Sequence, residues 1–389
     1  SWGVKIRGQI WRGAAMANDG LASARRIRQP IESKSDIANA FDSITYTKGG
    51  AVLAMFEAWL GEERFQNTAR RYLEKFSHAN ATAADFLAEL SADDAQVGPA
   101  FATFLEQAGV PVVSMQLQCG TSSATLKLAQ QRYLPLGSVG ASDQSWQLPV
   151  CVEYEAGRSK QRACHLMKTG MAELSLGRAC PVSLAADTAR YYRVRYDGAL
   201  LERIAVPKRP AEAAALIGDV NALAQSGTIG LAQALRTIQP HAASANRHVV
   251  QSLMTVLAGI RPIVPEALRA GEARWFRKMF GRQARRLGLS PRPGESEDAR
   301  QLRPALLRFV TDAGDDRRLG AKAAVLAKRW LQDRNTVDGS MVATVLDLAR
   351  RGYLRISEVR HERGLLFKRA AYEYRINFAK PEDDRVAPH

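Results

Sequence analysis

The hydrophobic period of this chain changes twice, and those two changes constrain its fold more than any other feature. Up to about residue 109, apolar side chains recur every three or four positions. In GGAVLAMFEAWL, Val52, Met55, Phe56 and Trp59 share one face, and EERFQNTARRYLEKF continues with Phe65, Ala69, Tyr72, Leu73 and Phe76. That is the period of a helix with one buried side. TAADFLAEL adds Thr82 as an N-cap with Asp85 three residues on, the pattern of a capping box. From GVPVV the period drops to two: Val113, Met115, Leu117 and Cys119 alternate with Ser114, Gln116 and Gln118. Side chains two apart share a strand face, so this is strand spacing. Five further short runs, from SATLKLAQQRYL to YYRVRYDGA, are separated by Gly- and Ser-rich turns and predict a small antiparallel β-sandwich. After VPKRP the helical period returns and persists from AEAAALIGDVNALAQSG to LGAKAAVLAKRWLQD, an array that suits an α-helical solenoid. The predicted fold class is multidomain α+β. Its parts are a helical block over 1–109, the sandwich over 110–205, the solenoid over 206–353 and a β-hairpin-like polar tail over 354–389, whose end AKPEDDRVAPH is expected to fray.

The four cysteines all fall in the strand-rich stretch: Cys119, Cys151, Cys164 and Cys180. They form no CxxC pair, so a structural metal site is not expected. Two disulfides can connect them in three ways. Cys151 and Cys164 flank the turn EAGRSK, which places them across a hairpin and leaves Cys119 with Cys180. Such bridges imply an oxidising, periplasmic or extracellular compartment. Four buried thiols in a cytoplasmic protein are the alternative.

The 389 residues carry a formal charge of +16, which favours acidic partners in general: nucleic acid, anionic membrane or acidic peptides. No apolar run reaches the length of a membrane span. The chain opens at Ser1 with no Met and no signal-peptide pattern, and it is expected to be a fragment of a longer protein. The basic residues concentrate in LRAGEARWFRKMFGRQARRLGL, where Arg269, Arg274, Arg277, Lys278, Arg282, Arg285 and Arg286 interleave with Trp275 and Phe276. Arginines on phosphates with Trp275 as a stacking platform would bind nucleic acid. The segment matches no binding module, so a solvated helix face is favoured and nucleic acid is not expected as a partner. Metal-ligand spacing is absent among the six histidines. HERGL at His361 begins like HExxH, but Leu365 stands where the second histidine is needed, and the chain has neither a P-loop nor GxGxxG.

Three segments together resemble the C-terminal half of the aminopeptidase N-like zinc metallopeptidases, the gluzincins. These are RGAAMANDGLASARRIRQPI followed by IANAFDSITYTKGGAVLAMFEAWLGEERF and the helices to LAEL; FLEQAGVPVV; and, by position and length, the array after Pro210. The Tyr-x-Lys-Gly element at Tyr46 is the most specific part. The resemblance implies that residues 1–109 are the helical end of a thermolysin-like catalytic domain. It also implies that Tyr46, standing just before a glycine turn, hydrogen-bonds the oxyanion of the tetrahedral intermediate, for which a neutral donor on a rigid ring is suited. A tyrosine packed at a helix start is the alternative reading of the residue alone.

The family's Gly-x-Met-x-Asn motif, its HExxH pair and its downstream ligand Glu all precede that tyrosine, and none is found in this chain. A catalytic zinc needs three protein ligands and an open position. The implied cofactor is therefore zinc in the intact enzyme, with none bound to this chain, which is expected to be inactive alone. The implied partners are peptide substrates and the missing N-terminal catalytic half. The rival expectation is a non-enzymatic basic helical module for an acidic protein or nucleic acid. The segment from VATVLDLARRG to YEYRINF is also similar to a helix-plus-hairpin segment of bacterial membrane proteins, and no function is attached to it.

Overall fold

The computed structural model describes residues 2–141, 143–156, 159–203, 209–350, 354–363 and 369–378. The chain divides into two compact units, Ser1–His241 and Ala242–His389.

The first unit opens with helices α1 (Trp2–Asp19) and α2 (Lys34–Asn39), then a π-helical turn over Ile44–Lys48 that runs straight into α3 (Gly49–Leu60). Helices α4 (Glu62–Lys75), α5 (Ala83–Asp93) and α6 (Val97–Glu106) follow. The helical period has the expected cause, an apolar face. Val52, Met55 and Phe56 are buried, and Phe56 meets Phe101 and Phe104 of α6 with ring centroids 5.1 and 6.3 Å apart. Thr82 and Asp85 form the capping box at the start of α5. Leu73 departs from expectation, since it is exposed on the far side of α4. The helix has too narrow a buried stripe to cover both Tyr72 and its neighbour, and Tyr72 takes the place beside Phe86.

Strands β1 (Pro111–Cys119), β2 (Ala124–Arg132), β3 (Leu148–Ala156), β4 (Ser159–Met167), β5 (Met171–Gly177), β6 (Ser183–Ala186) and β7 (Arg193–Tyr196) form two sheets. Their orders are β5-β2-β1-β7 and β4-β3-β6. The expected alternation is present in β1, where Val113 and Met115 are buried and Gln116 is exposed. The expectation of purely antiparallel pairing is corrected at one place. β7 joins β1 in parallel, with Val112 opposite Arg193 and Ser114 opposite Arg195. A parallel neighbour requires a long crossover, and the path from β1 to β7 passes through β3, β4 and β6 of the other sheet as well as β2 and β5.

Cys151 and Cys164 stand directly opposite in the β3–β4 ladder and are bonded to each other. Cys119, at the end of β1, is bonded to Cys180 in the segment that leads from β5 of the same sheet to β6 of the other.

Strand β7 leads through α7 (Gly198–Arg203) to α8 (Pro210–Gln225) and α9 (Leu231–Ile238). A buried cluster of charges joins these layers: Asp219 of α8 takes the guanidinium of Arg190 at 2.5 Å and that of Arg193 at 3.8 Å. Arg193 also donates to the Gly13 carbonyl of α1. Arg12 of α1 donates to the Thr188 carbonyl, and burial, helped by the nearby Arg190 charge, lowers its pKa to about 10.

The second unit continues with α10 (Arg247–Ile260), α11 (Glu266–Leu287), α12 (Glu297–Asp312), α13 (Arg317–Gln332) and α14 (Val342–Arg350). Phe276 and Phe280 of α11 pack on Phe309 of α12 at 5.1 and 5.3 Å. Arg303 of α12 is wholly buried, paired with Glu295 and donating to the Leu287 carbonyl. Strands β8 (Leu354–Arg363) and β9 (Arg369–Phe378) pair as an antiparallel hairpin. The polar end from residue 379 lies outside the described residues. Among the described residues, no helix is long and apolar enough to cross a membrane.

The two disulfides close loops of different length, with sequence separations of 61 and 13. A chain-entropy account assigns about 4 kcal/mol to the longer and about 3 kcal/mol to the shorter. Chemical unfolding of Cys119→Ser/Cys180→Ser and of Cys151→Ser/Cys164→Ser is expected to show both losses, with the first pair the larger.

Candidate functional site

The site begins with a lysine in the wrong surroundings. Lys48 falls at helical spacing with Val52 and Met55, on the side of the turn and of α3 that faces the core, and its side chain is wholly buried. A buried ammonium needs a partner of opposite charge. Asp19, the last residue of α1 and equally buried, supplies it, with the Lys48 nitrogen 2.9 Å from Oδ2. Lys48 also donates to the Gln107 carbonyl at 3.0 Å.

Two more donors complete the Asp19 carboxylate. The Gly109 amide reaches Oδ1 at 2.9 Å, and the Tyr191 hydroxyl reaches Oδ2 at 3.2 Å. Gly109 is at φ 101°, and a Cβ there would meet Nε of Arg132 at 2.8 Å, so only glycine holds this amide in place. The Tyr191 ring also lies 6.0 Å from the ammonium. Three segments distant in sequence thus converge on one carboxylate.

The pair holds the π-helical turn from below. Ile44 and Lys48 face inward, and Tyr46, midway between them, faces out with 63 % of its surface exposed. Its ring lies 6.2 Å from Phe41, and its hydroxyl has no hydrogen-bond partner among the described residues. The turn is held from its other end by Asp42. That carboxylate accepts from the amides of Ile44 and Thr45 and from the Arg25 guanidinium, which also reaches the Thr45 hydroxyl. Partial burial works against the ionised form, but the Thr45 amide and Arg25 together hold Asp42 below the usual carboxylate range. Asn18 adds a bond to Ser43.

The structure corrects the expected glycine turn. Gly49 has helical dihedrals, φ −55° and ψ −50°, and its amide bonds back to Ile44, so Tyr46 lies within continuous helix. The chain is already helical from Ile44, and the buried Lys48 anchors the end of that turn to the core, so the helix runs on through the glycines. A Cβ at Gly49 or Gly50 would meet nothing within 4 Å. The pair therefore leaves bare backbone close to Tyr46 in sequence without any steric need for it.

Cys119, Cys151 and Cys164 lie on strands of the two sheets, Cys180 lies in the segment between β5 and β6, and all four are disulfide-bonded. Among the described residues, no three His, Cys, Asp or Glu side chains gather to hold a metal, so these residues do not fit a zinc site. His361 is on β8, and Leu365 lies outside the described residues.

Asp19, Gly109 and Tyr191 were not legible from sequence, although Lys48 on an apolar face was itself the signal that a buried carboxylate had to exist. Burial raises the Asp19 pKa and lowers that of Lys48, since in both cases loss of water outweighs the attraction between the two. A carboxyl raised in this way contributes stability only below its unfolded pKa. A lysine depressed in this way contributes only above its own. The carboxyl contribution is lost as pH rises through its raised folded pKa and the lysine contribution as pH falls through its lowered one, so a pair taken this far from water is a weak source of stability. Removing one member leaves a buried charge alone, at about 3–5 kcal/mol, whereas neutral replacement of both is close to neutral. Urea unfolding of Asp19→Asn, Lys48→Met and the double variant is expected to place both singles well below the double.

Residues 6–106 match the Peptidase family M1 domain, and residues 183–360 match the ERAP1-like C-terminal domain. The chain is 27 % identical over 315 residues to the puromycin-sensitive aminopeptidase of Caenorhabditis elegans, covering 77 % of the chain and 33 % of that relative. It is 28 % identical over 344 residues to aminopeptidase M1 of Arabidopsis thaliana, covering 82 % and 38 %. With the probable M1 family aminopeptidase 1 of Encephalitozoon cuniculi it shares 32 % over 199 residues, covering 51 % and 22 %. The chain spans about a third of the length of the first two of these relatives. Matches to the two domains in this order, with relatives that cover most of the chain, make it similar to the C-terminal portion of the aminopeptidase N-like enzymes of peptidase family M1.

Proposed function

We propose that this chain is the C-terminal part of a zinc-dependent aminopeptidase that removes N-terminal residues from peptides. The observation that carries the reading is the presentation of Tyr46: an exposed phenol with an unengaged hydroxyl, on a turn fixed by the buried Lys48–Asp19 pair. In this role the hydroxyl donates to the carbonyl oxygen of the scissile bond as that oxygen gains negative charge. A preorganised donor aimed at such charge stabilises the transition state more than the bound substrate.

The surroundings support a site completed by further chain. Ile31, Ile37 and Phe41 are about half exposed or more, and apolar surface of this kind marks a place where something docks. The bare backbone at Gly49 and Gly50 leaves room for a close approach. The reading assigns the zinc ligands, the general base and the specificity pocket to a part of the protein outside these residues, and the chain by itself is inactive. The two sheets serve as a sandwich-like spacer, and the helices of the second unit serve as a solenoid-type array. The disulfides support an oxidising compartment, periplasmic or extracellular.

A second reading, a basic scaffold without catalysis, is favoured by one observation. Residues 242–389 hold 29 Lys and Arg against 17 Asp and Glu, or +12 of the chain's +16.

Tyr46→Phe in the full-length protein decides between them. It is expected to lower kcat by about 10²–10³ with little change in KM. Peptide hydrolysis with an unchanged kcat removes Tyr46 from the mechanism, and a full-length protein that hydrolyses no peptide leaves the scaffold.

A further inference from the structure

The excess positive charge has a definite place in the second unit. On α11, Phe276, Phe280, Gln283, Ala284 and Leu287 face the core. Arg274, Lys278, Arg282, Arg285 and Arg286 are all exposed, and among the described residues none of them has an ion-pair partner. At 100° and 1.5 Å per residue these five lie within an arc of about 120° and along about 18 Å of helix. The acidic residues of α11 do not interrupt the ridge. Glu266 and Glu272 belong to its first two turns, and both are held by Arg269, with Arg261 adding a second contact to Glu272.

Such a ridge is usually a solvated helix face. What sets this one apart is its N-terminal end, where Ile263 and Leu268 are exposed at 73 % and 60 %. Leu268 lies in line with Trp275, Arg282 and Arg286 at helical spacing, so apolar and cationic side chains share one outward strip.

We propose that this strip docks the protein peripherally on an anionic lipid bilayer. Arginine and lysine would meet the headgroups, while Ile263 and Leu268 would enter the boundary between headgroups and acyl chains. An aqueous polyanion accounts for the cations but leaves the two apolar side chains wet. A single-stranded nucleic acid also needs exposed aromatic platforms, and Trp275 is half-buried while Phe276 is buried. The inference does not rest on Tyr46 and is compatible with either reading of the catalytic end.

The test is sedimentation of the whole chain with vesicles of phosphatidylcholine alone and of phosphatidylcholine with phosphatidylglycerol, alongside retention on heparin. Binding is expected only where phosphatidylglycerol is present. Each cation near an anionic surface contributes about fivefold, so Arg274→Glu/Lys278→Glu/Arg282→Glu is expected to weaken vesicle binding by at least about a hundredfold. Arg282→Glu alone, at about fivefold or more, keeps the test open should the triple variant fail to fold. Ile263→Ser/Leu268→Ser is expected to weaken vesicle binding while heparin retention stays the same. No binding to phosphatidylglycerol vesicles overturns the proposal, as does binding that charge reversal leaves unchanged. Vesicle binding indifferent to Ile263 and Leu268 overturns it in favour of a soluble polyanion.

Discussion

The Asp19–Lys48 pair is the constraint on which the first unit depends. An ion pair buried this completely is a weak source of stability, because each charge gives up its water to make it. What it contributes is placement. The carboxylate must be met from several directions at once, and the groups that meet it come from the π-helical turn, the segment ahead of β1 and the segment ahead of β7. Any arrangement that leaves one of these donors elsewhere leaves a buried charge short of partners. The pair therefore selects one packing of helices against sheet from several that hydrophobic burial alone would accept.

The same device recurs around Asp219. Arg190 from the approach to β7 and Arg193 at its start converge on a carboxylate in α8, and a third arginine, Arg12, reaches from α1 to the loop just ahead of them. The apolar layers set how closely helices and sheets approach, and these buried charges set which element stands opposite which. In the second unit Arg303 repeats the logic over a shorter span, with Glu295 and the Leu287 carbonyl as its partners.

The parts of this fold visible in the sequence are those whose cause is local. The period of three to four in α3, the alternation in β1 and the Thr82–Asp85 box each need only neighbouring residues, and each is present. The parallel pairing of β7 with β1 is invisible to periodicity, because a strand shows the same alternation whichever way its neighbour runs. Tyr46 was picked out by a family likeness, whereas its environment had to be seen. Gly49 and Gly50 read as a turn because glycine commonly breaks helices, yet Lys48 is held so firmly that the helix runs on through them. A lysine on an apolar face announces a hidden carboxylate. Nothing along the chain says that it lies 29 residues upstream.

The direction of β7 has a consequence for how the turn under Tyr46 comes to be set. Because β7 runs parallel to β1 with Val112 opposite Arg193, the residues just ahead of both strands, Gly109 and Tyr191, arrive at the same end of the sheet. Asp19 waits there for both, across sequence separations of 90 and 172. An antiparallel β7 would carry Tyr191 to the opposite end. On the ribosome, therefore, Tyr46 emerges long before its support can close. The support of the turn is complete only once translation has passed the crossover and delivered Tyr191. Loops of this length close late and set the pace of folding.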